Sequence, residues 1–132
     1  MISQHPSEDV LSIVPKLAHS GIALIEFAEA LSGSKVWERG ANYRWIIQPK
    51  KFVALQGQRR LKGIRFTVRG RPPEFAPFGE LKLETGRGGS YSGFVFNETR
   101  HLAAAAFYIS RAYELYQRGG SRRPHRQAIQ EM

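Results

Sequence analysis

RRLKGIRFTVRGRPPEFAPFGELKLETGRGGSYSGFVFN, residues 59–97, is the stretch that decides the fold class. Ile64, Phe66 and Val68 alternate with Arg65, Thr67 and Arg69. Period-two alternation of β-branched and aromatic residues specifies a half-buried strand. Leu61 falls on the other parity, so Gly63 reads as a bulge. Pro72, Pro73 and Pro77 then exclude regular pairing, because proline lacks a ladder donor. Leu81 and Leu83 alternate with Glu80, Lys82 and Glu84 and predict a second strand. Gly86-Arg87-Gly88-Gly89 supplies a hairpin loop with residues that tolerate positive φ. Tyr91–Phe96 is the return strand, with Phe94 and Phe96 on one face and Tyr91 and Val95 on the other.

Upstream, Ser7 followed by Glu8 and Asp9 marks a helix start, a cap oxygen with acids in the first turn. Val10, Leu17, Leu24 and Leu31 recur every seven residues, and Val14, Gly21 and Ala28 complete one apolar stripe. Pro15 kinks or divides this helix because it removes a backbone donor. Gly33 ends it. Val36–Arg39 is a short extended piece. Tyr43, Trp45 and Ile47 alternate as a strand that Pro49 stops, and Lys51–Leu55 is another. Gln56-Gly57-Gln58 turns the chain into Arg59. Downstream, Asn97 caps a last helix whose face is Leu102, Ala106, Ile109, Tyr113 and Tyr116. Ala105 and Tyr108 lie off that stripe. Gly119-Gly120 ends the helix, and the remainder is polar, basic and without periodicity.

The expected fold class is therefore α+β. A two-layer arrangement follows, with a mainly antiparallel sheet of about four to five strands. N-terminal and C-terminal helices lie on one sheet face. Residues 1–118 form a single domain, and 119–132 a flexible basic tail. At 132 residues the length suits one domain.

There are no cysteines, which removes disulfides, thiolate zinc sites and cysteine nucleophiles. The start, MISQHPSED, lacks the basic region of a signal peptide. Ile22–Ala28 is apolar but short and contains Glu26, too little for a membrane span. A cytoplasmic protein without a membrane partner is expected. The net charge of +9 is unevenly placed. Residues 1–50 are balanced. Residues 51–72 carry Lys51, Arg59, Arg60, Lys62, Arg65, Arg69 and Arg71 and no acid. Arg118, Arg122, Arg123 and Arg126 face only Glu131 in the tail. Such asymmetry marks an anionic partner, with general solubility as the alternative.

Three functional readings follow. The first is a non-catalytic binding protein for nucleic acid or another polyanion, using Arg59, Arg60, Lys62, Arg65, Arg69 and Arg71. The second is a homo-oligomeric module for a small molecule or protein, with Tyr43, Trp45 and Tyr91 as pocket residues, and a homodimer is expected on any of the readings. Ile13, Ala18, Ile22, Ile25, Phe107 and Tyr108 supply surplus apolar surface for the subunit contact. The third is a metal-dependent nuclease. Glu80-Leu81-Lys82 after Pro73-Glu74 has the letters of an acid-x-lysine site, in which carboxylates hold Mg²⁺. No third acid follows, and alternating Glu and Lys also suits a solvent-facing strand. Ser92, Glu98 and His101 are near in sequence without forming a triad pattern. The four histidines lack ligand spacing. No catalytic residue, metal ligand or cofactor is assigned.

Overall fold

A computed structural model describes residues 4–75 and 81–119. Six strands form one sheet: β1 (Val36–Arg39), β2 (Trp45–Gln48), β3 (Val53–Gln58), β4 (Gly63–Arg69), β5 (Glu84–Thr85) and β6 (Tyr91–Phe96). The order is β1-β2-β3-β4-β6-β5, and every neighbouring pair is antiparallel. Three helices accompany it: α1 (Pro6–Ile13), α2 (Ala18–Ser32) and α3 (Leu102–Arg118). The class is α+β as expected, with one strand more than the upper count.

The registers sort the side chains by face. Trp37 opposes Ile47, Trp45 opposes Leu55, Leu55 opposes Phe66, and Phe66 opposes Phe94. All are buried, and they form one core with Val10, Leu24, Ile25, Ala28 and the inner face of α3. The other face carries Gln56, Arg65, Thr67 and Gly93. Among the described residues, no helix covers that second face.

Pro15 divides the N-terminal helix, as its missing N–H dictates. Val14 leaves helical φ and ψ, a short 3-10 turn follows, and α1 and α2 are bent by 119°. The cap of α1 is His5 rather than Ser7. Pro6 at N1 has no N–H, so the first free donor is the Ser7 amide, which donates to His5 Nδ1 at 3.2 Å. Gly33 closes α2 at φ 75. Gly21 lets α2 approach β4: a Cβ there would lie 2.6 Å from Ile64 Cδ1 and 2.9 Å from Val10 Cγ1. Gly57 of β3 lies beneath Ile13, and an added Cβ there would meet that side chain at 3.4 Å.

Several local expectations change. Gln56–Gln58 belongs to β3, and the reversal occurs at residues 59–62, where the Lys62 amide donates to the Arg59 carbonyl. Tyr43 precedes β2 in a turn and has φ 59. Gly63 is no bulge; it pairs regularly with Gln58. Of the Leu81–Glu84 segment only Glu84 joins the sheet, with Thr85 after it. Leu81 is instead held by α3, where the Tyr108 hydroxyl donates to its carbonyl at 2.7 Å. Asn97 does not cap α3, because a 3-10 turn over Thr99–His101 intervenes.

The inner face of α3 is Ala104, Ala105, Tyr108, Ile109, Ala112 and Leu115. Its small residues bring the helix close to the sheet, and Leu102, Ala106, Tyr113 and Tyr116 pack at the margins. Ile13, Ile22 and Phe107 pack partly buried against the same core, while Ala18, Ile25 and Tyr108 lie within it. The expected tail beyond residue 119 lies outside the described residues. No single helix among the described residues is long and apolar enough to cross a membrane.

Candidate functional site

The uncovered face of the sheet holds a cleft of about 460 Å³. Its floor is Gln56 of β3, Arg65 and Thr67 of β4, and Gly93 of β6. One wall is Asn42 and Arg44, from the connection between β1 and β2. The opposite wall is Glu84 and Thr85 of β5 with Gly86 and Tyr91. Strand alternation explains the floor, since residues paired across antiparallel strands share a face. Arg65 pairs with Gln56 on one side and Val95 on the other, and Gly93 pairs with Thr67 and Glu84.

Hydrogen bonds hold the walls in place. The Gln56 amide donates to the Asn42 carbonyl and accepts from Gln58 Nε2 at 2.9 Å, so β3 ties down the Asn42 turn. The Gly86 amide donates to the Tyr91 carbonyl at 2.7 Å. Arg69 Nη1 donates to the Tyr91 hydroxyl at 3.3 Å, and its guanidinium lies 5.5 Å from the Tyr91 ring centre and 5.9 Å from that of Tyr116.

Arg65 supplies the central charge. A Cβ at Gly93 would lie 3.6 Å from Arg65 Nη1, so the guanidinium extends over this glycine toward β5. Glu84 Oε2 is 4.0 Å away, and that side chain is 73% exposed. A pair this long and this solvated offsets little of the arginine's charge. Arg44 has no acid within ion-pair distance among the described residues.

The six basic residues singled out from the sequence are spread along β4 rather than gathered. Arg59, Arg60 and Lys62 occupy the turn before it. Arg65 lies at its middle, and Arg69, at its far end, is engaged by tyrosines. Arg71 follows and pairs with Glu74 at 3.5 Å. Seven strand residues extend over roughly 20 Å at about 3.3 Å each. Of the aromatic candidates, only Tyr91 lines the cleft. Trp45 is 3% exposed on the helix-covered face, and Tyr43 is 70% exposed beneath the Arg39 guanidinium. Arg44 was not selected by sequence, although the parity of Trp45 and Ile47 assigns it to the uncovered face.

Glu80 lies outside the described residues, Lys82 lies outside the strands, and Glu74 is bound to the Arg71 amide. Ser92 is fully buried and donates to the Gly70 carbonyl. Among the described residues, no group of three or more histidines and acids is placed to hold a metal ion. No family model, curated protein or solved structure matches the chain.

Proposed function

We propose that the protein is a non-catalytic binding module for nucleic acid or another polyanion, engaged on the uncovered sheet face around Arg44 and Arg65. The observation that carries this reading is the position of Arg65. Its guanidinium stands at the centre of a face that none of the described helices covers, beside a weakly paired acid and across a cleft from a second arginine. Arginine's planar fork matches phosphate oxygens, and its weak hydration lowers the cost of contact. The turn residues Arg59, Arg60 and Lys62 extend the positive field from one end of β4. Contacts of this kind are electrostatic and weakly selective for sequence.

Fluorescence titration with labelled oligonucleotides across a salt series tests the reading. Affinity drops steeply between low and physiological salt. Arg44→Ala with Arg65→Ala flattens the slope of log K against log salt by about two units. No binding better than millimolar at low salt, or an unchanged slope in the double variant, overturns it.

A further inference from the structure

We infer that the cleft takes one nucleotide of a single strand, with the base against Tyr91 and the phosphate between Arg44 and Arg65. This rests on the polyanion reading above and narrows it. At about 460 Å³ the cleft falls within the roughly 300–1,000 Å³ typical of sites for small organic groups. Walls on two sides give it the form of a receptacle. A duplex keeps the faces of its bases stacked inside and offers only backbone and groove edges, whereas a single strand can insert an unpaired base.

Three features favour a base over a simple anion. Tyr91 is already fixed by Arg69, through both its hydroxyl and its ring, so an aromatic platform is available at little cost in side-chain ordering. The Thr67 hydroxyl stands on the cleft face without a hydrogen-bond partner among the described residues, and it suits the polar edge of a base. Gly93 is the third. Its φ lies outside the left-handed range, and the nearest atoms to an added Cβ would be 3.6 Å away. Neither backbone conformation nor packing demands glycine in this strand, where it weakens the sheet. Its effect is to leave the floor of the cleft bare.

Anisotropy titrations at low salt decide, using a labelled pyrimidine 12-mer, the same strand with abasic sites, its duplex, heparin and a mononucleotide. The wild type binds the intact single strand more tightly than the abasic strand or the duplex. Tyr91→Leu weakens the single strand roughly 5- to 100-fold, the range of one lost stacking contact, and leaves heparin and duplex within about twofold. Tyr91→Phe keeps the preference. Gly93→Val, a residue favoured in strands, removes it by filling the floor, with circular dichroism and melting temperature reporting that both variants are folded. If Tyr91→Leu leaves the single strand unchanged while Arg44→Ala with Arg65→Ala weakens every polyanion, this inference fails and the broader reading stands. Equal affinity for intact and abasic strands also overturns the inference. A mononucleotide binding as tightly as the 12-mer overturns the assignment to a strand. Absence of binding to any of these probes removes both.

Discussion

Asp9 and Glu29 are carried into the interior by the helices and meet sheet tryptophans there. Trp45 Nε1 donates to Asp9 Oδ2 at 2.8 Å, and Trp37 Nε1 donates to Glu29 Oε2 at the same distance. Both acids are 7% exposed, so an oxygen that lost its donor would gain little from water. His5 also serves Glu29. Its Nδ1 accepts from the Ser7 amide, which assigns the ring proton to Nε2, and Nε2 donates to Glu29 at 2.7 Å. Trp45→Phe is expected to lower stability by about 1–3 kcal/mol through the lost donor to a buried carboxylate that Arg39 also faces at 3.7 Å. Urea denaturation measures the loss. A double-mutant cycle with Asp9→Ala gives a coupling of roughly 0.5–3 kcal/mol if the hydrogen bond is responsible, and none if the loss is only one of packing. These contacts were not legible in the sequence, because Asp9 and Trp45 are 36 positions apart and the local patterns that hold them, a helix start and a strand alternation, say nothing of each other. Arg65 was legible, since its parity against Ile64 and Phe66 assigns it to a face. Arg44 was obscured by its aromatic neighbours, whose alternation drew the reading toward the core.

Glycines explain much of how the elements meet. At Gly63, the first residue of β4, a Cβ would lie 2.8 Å from the Phe96 carbonyl oxygen and 2.7 Å from Asn97 Cβ. Backbone cannot yield as a side-chain tip can, so Gly63→Ala forces β4 and β6 apart. The expected cost is about 1–3 kcal/mol, read as a lower urea midpoint. A stability equal to the wild type would show that the strands tolerate the separation. The sequence identified Gly63 as special but assigned it a bulge, since a glycine that breaks alternation and one that permits close approach look alike in the letters. The α1–α2 break was legible because proline acts locally. The orientation of α3 was not. Four consecutive alanines fit either face, and the large side chains suggested a stripe that lies at the margin of the buried one. Close approach through Ala105 and Ala112, with Tyr108 reaching Leu81, decides which face turns inward.

The whole molecule carries a formal charge of +9, and this self-repulsion opposes the folded state. Raising sodium chloride from about 20 to about 200 mM shortens the Debye length from roughly 20 Å to less than 10 Å. The melting temperature is expected to rise over that range, and a fall would show that attractive surface pairs outweigh the net repulsion. The α+β class and the helical layer on one face were legible at this scale, because the alternation around β4 divides the sheet into an apolar and a polar side. The sixth strand was not, since Val36–Arg39 is too short to show more than an extended piece. The strand order bears on how the protein is made. β6 completes the sheet by pairing with β4, yet Tyr91 follows Arg69 by 22 residues. At translation rates of about 5–20 residues per second, β4 is synthesised roughly 1–4 s before its outer partner. For that interval a nascent strand edge stands open to neighbouring chains. Charged side chains are among the devices that blunt such edges, and Arg65 and Arg69 place two of them on this strand.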